Sequence, residues 1–579
     1  MHDFLSVFFI VLIVITALPN VIYSFGYLEE YRKDYSLKYL WGMMALFILS
    51  MAGVVISADG VSFMIFWELM SVSSFFLVIF EHKKGENIKS GIMYFIMTHI
   101  SGLLVMTMFI LTAKFTGTYD FNVLTAGAAN ITDQQRLAIL ILALAGFGSK
   151  AGLVPLHAWL PKAHPAAPSN VSAMMSGIML KIAIYGFIRV AFIFAKDVSV
   201  YFGVAVMLVG TITAIYAVIN SLAQNDIKKL LAYSSSENIG MIFAVLGLAL
   251  ILRSLGLRSL SALALAAAMF HVLNHGIFKS LLFMSAGSVL FAAASKNMNE
   301  LGGLYRKMKF ASTCALVGTA AIAAVPPLNG FAGEILIYGS FIQALSAVRI
   351  PWIAMTILFC GIILALTGGG VVWASVKSFG MTYLGEPRSR KAEEVHEVPA
   401  AMKAGMAVLA GFAVLFGVFS PFIINLIYGW TSGDPAASAV GYEVTIVSAV
   451  LLLAVSALYL AGKMLSKKGV ADEVRGTWAC GFNDFKPYME YSPDGFVQPG
   501  MRIFGNAAGY RKEVKVDGAV HTRARIKDVI EANVYLRVIK AVDYLAARII
   551  KIHYGKIQIY VSYIFVSLIV SLILVLRFV

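Results

Sequence analysis

Apolar runs of about 20 residues recur along the whole chain, and that length dictates what the chain can become. At 1.5 Å of rise per helical residue, such a run matches the roughly 30 Å hydrocarbon core of a bilayer. The runs lie near 4–25, 38–57, 61–80, 89–113, 137–155, 169–195, 199–222 and 229–254, then 260–292, 310–346, 352–384, 401–428, 441–463 and 557–578. Lipid offers no partner to an open backbone, so each run must close its hydrogen bonds as a helix. The expectation is an all-α, polytopic bundle of about fourteen transmembrane helices. Composition agrees: 13% of residues are charged and 59% hydrophobic, where soluble domains carry about 25% charge. The first run lacks a basic leading segment and a small-residue cleavage site, so it reads as a retained helix. Cys314, Cys360 and Cys480 are far apart and form neither a disulfide framework nor a cluster-holding set.

The net charge of +15 does not imply nucleic acid, because excess Lys and Arg in such a chain sets topology. Loops after odd-numbered helices hold Arg32, Lys33, Lys38, Lys83, Lys84, Lys89, Lys228, Lys229, Arg306, Lys307, Lys309, Arg388, Arg390 and Lys391. Loops after even-numbered helices hold few, such as Lys196, Arg253, Arg258 and Arg349. The odd loops should therefore face the cytoplasm, with the N-terminus outside.

Two runs are interrupted. One passes through Gly148-Ser149-Lys150-Ala151-Gly152-Leu153-Val154-Pro155 to Pro161, Pro165 and Pro168; the other through Pro326-Pro327-Leu328-Asn329-Gly330-Phe331-Ala332-Gly333-Glu334. Proline removes a donor and glycine permits a turn. At membrane depth such breaks persist only when buried in protein or lining a wet cavity. Each falls on the fourth helix of a five-helix block, 38–195 and 199–385, the pattern of an inverted-repeat transporter; ordinary proline kinks are the plainer alternative. The remaining divisions are 1–37 (a helix and loop), 386–463 (two helices), 464–555 (a polar segment) and 556–579 (a last helix). Within 464–555, Ile526, Ile530, Val534, Val538, Val542, Leu545, Ile549 and Ile552 recur at helical spacing. They predict an amphipathic lateral helix on the cytoplasmic side, against protein or lipid.

An ionisable residue at the centre of a span costs roughly 2.5–3.5 kcal/mol on insertion scales, which makes it a functional candidate. Glu68 stands near the middle of the third run, Lys150 at the first break, Lys181 in the middle of the sixth run and Glu334 at the second break. His271, His275 and Lys279 follow i, i+4, i+8 spacing and share one helix face. Buried carboxyls and ammoniums are driven toward neutrality, and histidine starts near it, so such a set can hold and pass protons. Plainer readings exist. Glu68 and Lys150 could be a static ion pair, Lys181 could snorkel, and the histidines could simply pack. The HxxxH spacing also suits zinc, though no third ligand is evident. Asp226, Lys228, Lys229 and Glu237, near the end of the eighth run, and Lys377 in the eleventh mark places where protons could enter or leave, or only solvated helix ends.

The segments Phe66-Trp67-Glu68, Gly148-Ser-Lys150-Ala-Gly-Leu-Val-Pro-Leu-His-Ala-Trp-Leu-Pro161, Asp226-Ile-Lys-Lys-Leu-Leu-Ala-Tyr-Ser234, His271-Val-Leu-Asn-His275-Gly-Ile-Phe-Lys279 and Gly330-Phe-Ala-Gly-Glu334 occur in this order. Together they resemble the antiporter-like subunits of respiratory complex I and of multisubunit cation/proton antiporters, over about residues 30–390. Glu237-Asn-Ile-Gly240, Tyr383-Leu-Gly-Glu-Pro387 and Trp478-Ala-Cys480-Gly-Phe482 are similar to the hydrogenase-4 component B and formate hydrogenlyase subunit 3 group of group 4 membrane-bound [NiFe] hydrogenases. The resemblance implies a half-channel at each interrupted helix, with Glu68 and Lys150 in the first. Lys181 links to the His271/His275/Lys279 row, and Glu334 serves the second half and the outlet. Aligned this way, the chain starts at the family's third helix, and Glu334 replaces the lysine of some relatives.

The function so implied is proton or sodium translocation by a non-catalytic subunit in the plasma membrane of a prokaryote. The chain itself is expected to hold no cofactor. A NiFe centre and iron–sulfur clusters would sit on partner subunits, namely the hydrogenase large and small subunits and ferredoxin-like proteins, beside other membrane subunits. A stand-alone sodium/proton antiporter and a complex I-like dehydrogenase are the alternatives.

Overall fold

The computed structural model describes residues 3–127, 131–195, 198–434, 443–465, 489–517, 519–550 and 565–566. Helices dominate: α1 Phe4–Tyr27, α2 Leu37–Ile56, α3 Gly60–Val78, α4 Gly85–Thr116, a short α5 Phe121–Gly127, α6 Asp133–Ala151, α7 Leu160–Ala166, α8 Ser169–Met174 and α9 Leu180–Ile188. Then come α10 Val200–Ala223, α11 Ile227–Ser254, α12 Arg258–Ala293, α13 Lys309–Ile322, α14 Asn329–Ala347, α15 Pro351–Tyr383 and a single turn, α16 Arg390–Glu393. They are followed by α17 Ala400–Val418, α18 Ser420–Ser432, α19 Glu443–Leu465 and α20 Pro493–Phe504. Among the described residues, ten helical segments are long and apolar enough to cross a membrane. α6, the α13–α14 pair and α19 account for three further apolar runs, and the run at 557–578 lies outside the described residues.

Local chemistry sets the helix starts. Asp3, Ser36, Asp59, Ser199 and Asp226 each turn a side-chain oxygen onto the first free amides of the following helix. Thr132 and Gln135 form a capping box on α6. The two predicted interruptions are present. α6 stops at Gly152, whose φ of +89° lets its amide return to Gly148 and Ser149. The chain then passes Pro155 into α7. The second joint runs from Ala324 (φ +52°) through Pro326 and Pro327 to α14. There Gly330 lies so near α13 that a Cβ would stand 1.8 Å from the Ala321 carbonyl oxygen.

α11 is the axis of the bundle: every residue from Leu230 to Leu252 is buried. It lies against α10 through a seam of small residues. A Cβ on Gly210 would meet the Ala244 amide at 2.3 Å, one on Gly240 the Ala214 amide at 2.5 Å, and one on Gly247 the Met207 amide at 2.3 Å. Backbones approach this closely only where side chains are absent. α8 and α9, joined by π-helical residues Met175–Met179 and continued by Arg189–Phe194, form a second buried segment.

The polar segment departs from the expectation. Tyr510–Asp517 (β1) and Ala519–Ile526 (β2) form an antiparallel hairpin, with Tyr510 opposite Ile526. Ile526 therefore ends a strand and does not begin the amphipathic helix. The hairpin's cue, Asp517-Gly518 between alternating residues, is a strong turn signal. Tyr510 and Ile526 pack with Val497 and Met501 of α20 on Leu222 at the end of α10 and Ala374 in the last third of α15. Residues 527–579 form a separate unit, in which a π-turn at Glu531–Tyr535 leads into α21 Leu536–Ile550. Val538, Val542 and Leu545 share one face of α21. Ile552 and the Trp478-Ala-Cys480 segment lie outside the described residues.

Candidate functional site

In the first block, Lys150 sits one residue from the end of α6 and is fully buried. Its ammonium donates to Ser71 Oγ at 2.9 Å and Tyr94 OH at 3.4 Å, and lies 5.4 Å from the Tyr94 ring centre. No ion pair joins it to Glu68 among the described residues. Ser71 and Trp67, one turn apart on α3, face Lys150. Glu68 is next in sequence to Trp67 and therefore about 100° round the helix. It points toward α4, where its carboxylate stands 3.4 Å from His99 Nε2. Both side chains are about a third exposed, at 36% and 35%. A Cβ at Gly102 would occupy the carboxylate's place.

The centre of the row runs through α9, α11 and α12. Lys181 donates to the Ser176 carbonyl in the π-helical segment, and Ser176 Oγ lies 2.8 Å from Ser235 Oγ on α11. The adjacent Ser234 accepts from Lys279 at 2.5 Å, and Lys279 also donates to the Leu231 carbonyl. Farther along, His271 Nε2 is 3.0 Å from Asn238 Oδ1, and Asn238 Nδ2 donates to Glu237. Lys181, Glu237, His275 and Lys279 are fully buried and His271 nearly so. Neither ring nitrogen of His275 has a hydrogen-bond partner among the described residues.

In the second block, Asn274 donates to the Asn329 carbonyl at the head of α14, and a Cβ at Gly333 would stand 3.0 Å from His271 Nδ1. Glu334, the next residue, lines a cavity of about 300 Å³ with Ile322, Ala323, Tyr338 and Gly368. Six of the seven residues predicted to carry the ion (Lys150, Lys181, His271, His275, Lys279 and Glu334) thus lie between the interrupted helices, whereas Glu68 is turned to the bundle's flank.

The five residues expected at the mouths separate. Asp226 caps α11 through the amides of Lys228 and Lys229 and pairs with Lys296 at 3.2 Å. Lys228 is buried and donates to the Ala167 carbonyl at 2.5 Å, whereas Lys229 is exposed. Lys377 is buried too. It donates to the Leu222 and Gln224 carbonyls at 2.8 and 2.7 Å and to Asn225 Oδ1 at 3.2 Å, closing the end of α10. Glu237 belongs to the central row, nine residues (about 14 Å) along α11 from Lys228.

Ser71, Tyr94, His99, Ser176 and Ser235 are not among the sequence-predicted residues, and Ser234 and Asn238 are there only as members of the family-like segments. Ser234-Ser-Ser-Glu-Asn238, five polar residues inside an apolar run, was the available signal. His164 joins them. It is fully buried, lies 5.0 Å from the Phe283 ring centre, and has neither nitrogen hydrogen-bonded among the described residues. Groups that exchange protons thus alternate with hydroxyls, each able to donate and accept. That is the composition a proton relay needs.

Residues 57–364 match the family described as NADH:quinone oxidoreductase/Mrp antiporter, TM. The chain is 33% identical to hydrogenase-4 component B of Escherichia coli (strain K12), over 99% of this chain and 88% of that protein. It is 32% identical to formate hydrogenlyase subunit 3 of the same organism, over 79% and 74%. Among solved structures, a chain of the membrane-bound sulfane sulfur reductase, an archaeal respiratory membrane complex, superposes with a TM-score of 0.79 at 23% identity, covering 98% of this chain and 88% of that one. At that identity the likeness is one of fold.

Proposed function

This chain belongs to the NADH:quinone oxidoreductase/Mrp antiporter family, and from that premise we propose that it is the ion-translocating membrane subunit of a [NiFe] hydrogenase complex. It moves protons, or sodium in their place, through the row Lys150, Lys181, Lys279, Glu237, His271 and Glu334. The observation that carries the reading is the row's continuity of type. From one interrupted helix to the other, buried ammonium, hydroxyl, amide, imidazole and carboxyl groups follow one another at the core of an apolar bundle. A bilayer protein tolerates so many buried polar groups where they serve an ion pathway. The hydrogenase attribution rests on the likeness to hydrogenase-4 component B along 99% of the chain.

Hydrogenase large and small subunits and ferredoxin-like subunits then carry the NiFe centre and the iron–sulfur clusters, and neighbouring membrane subunits complete the complex. The Glu68–His99 pair, about a third exposed on a flank that also presents Ile65, Ile92, Ile96 and Leu103, suits contact with such a neighbour better than contact with lipid. The excess of Lys and Arg in the loops at one end of the bundle supports a reading in which that end faces the cytoplasm of a prokaryotic cell and the start of α1 lies outside.

The test is metal analysis of the complex that co-purifies in mild detergent, together with proton uptake by everted vesicles during hydrogen evolution. Nickel with many irons and coupled uptake are expected. Iron without nickel points to a complex I-like arm; small membrane subunits without metal point to a stand-alone antiporter.

A further inference from the structure

Away from the relay, one permanently charged side chain is buried near the end of the bundle opposite the basic loops. Lys181, Tyr185 and Arg189 are spaced i, i+4, i+8 and share a face of α9 and its π-helical continuation. Arg189 is 2% exposed. Its Nε donates to Tyr185 OH at 2.9 Å, and its Nη2 to Ser6 Oγ at 2.9 Å and Asp3 Oδ1 at 3.0 Å. Ser6 and Tyr185 both donate to the Val55 carbonyl at the end of α2. The guanidinium lies 4.9 Å from the Tyr185 ring centre and 5.9 Å from that of Phe121. Three helix ends and the α5 turn thus close on one cation.

We propose that Arg189, clamped by Asp3, Ser6 and Tyr185, is the electrostatic seal that stops ions on Lys181 from escaping through the outer end of the first block. The inference rests on the translocation reading above. Without a seal, the face Lys181–Tyr185–Arg189 would offer a polar route from the relay to the surface, since Asp3 at its end is 23% exposed. Guanidinium does not release its proton at any physiological pH, so it cannot act as a station. Its fixed charge repels an approaching proton or cation, the device by which a pore arginine excludes them. Asp3 holds the guanidinium in place. Lys181, for its part, is bonded in the other direction, to the Ser176 carbonyl and so toward Ser235 and Lys279. Ions therefore leave Lys181 sideways into the second block.

The experiment uses everted vesicles containing the whole complex and measures passive proton conductance after a pH jump without redox substrate, then substrate-driven uptake. Arg189→Gln should raise passive conductance roughly tenfold, the factor that a unit charge about 12 Å from Lys181 along the helix supplies at an effective dielectric constant of about 20. Arg189→Lys, whose buried amine can give up its proton where a guanidinium cannot, should leak as well. Adding Lys181→Met to Arg189→Gln should abolish the leak. Ser6→Asp, which sets a second carboxylate beside the guanidinium, should also leak, and it decides the matter if Arg189→Gln fails to accumulate. Wild-type conductance in the accumulated variants overturns the seal while leaving translocation intact, provided that wild-type vesicles take up protons with substrate. Absence of uptake in the wild type overturns the translocation reading itself.

Discussion

Replacing Lys150 with methionine separates what a buried charge does for transport from what it does for the fold. Lys150 donates two hydrogen bonds, to Ser71 and Tyr94, and lies over two aromatic rings. Bonds to a charged donor contribute about 1.5–3 kcal/mol each, and a desolvated cation–π contact about 2 kcal/mol. Against this stands the loss of hydration, still several kcal/mol per buried ion after relaxation. The gains and the cost nearly cancel. Methionine fills a similar volume and contributes about 1.5–3 kcal/mol of apolar burial. Nor does it strand its neighbours: Ser71 still donates to the Trp67 carbonyl at 3.0 Å, and Tyr94 keeps Ser74 at 2.6 Å and Met179 Sδ at 3.3 Å. Lys150→Met should therefore fold within about 2 kcal/mol of wild type, on the stable side. Proton uptake driven by the redox partner should be lost, because among the described residues no other lysine, histidine or carboxylate is hydrogen-bonded to Ser71 or Tyr94. Thermal unfolding of the purified complex reads the first quantity and a pH-sensitive dye in everted vesicles the second. Uptake at the wild-type rate, or destabilisation beyond about 4 kcal/mol, refutes the reasoning.

The same substitution at Lys377 should behave oppositely. Its ammonium holds the Leu222 and Gln224 carbonyls, and stranding two such acceptors costs about 2–5 kcal/mol, so Lys377→Met should lower the unfolding temperature measured in detergent. Gly330→Ala must push α14 off α13 by more than 1 Å, since its Cβ would stand 1.8 Å from the Ala321 oxygen. At least about 3 kcal/mol of overpacking follows, read as loss of the complex on native gels. Ser235→Ala removes the hydroxyl between Ser176 and the Ser234–Lys279 contact. It should slow proton uptake roughly tenfold with less than about 1 kcal/mol of destabilisation, and an unchanged uptake rate would remove Ser235 from the path.

The spans were legible because a bilayer fixes their length, and the two interruptions because proline and glycine act on their own backbone. Azimuth was not legible. Glu68 and Lys150 read as partners, yet which side of α3 faces α6 is decided by packing, and Trp67 and Ser71 occupy it. Depth was only half legible: Glu237 follows Lys228 closely in sequence, but an unbroken α11 carries it about 14 Å into the bundle. Lys377 illustrates a third gap. Nothing in an apolar run reveals that the end of another helix, some 150 residues earlier, will need its ammonium. The hairpin at 510–526 carried its turn signal openly, and the helical spacing of the residues after it obscured it.

The burial of α11 also bears on how the protein is made. Ser234–Asn238 places five polar residues in succession midway along this helix, which cannot rest alone in hydrocarbon while synthesis continues. α10 lies against it through Gly210, Gly240 and Gly247, with only Gln224–Asp226 between them. A three-residue connection lets the two leave the ribosome as one hairpin, with backbones in contact before α12 exists. The order of synthesis thus supplies α11 with its first shelter, and a bulky residue in the glycine seam would show itself in the yield of inserted protein before it showed in any rate of transport.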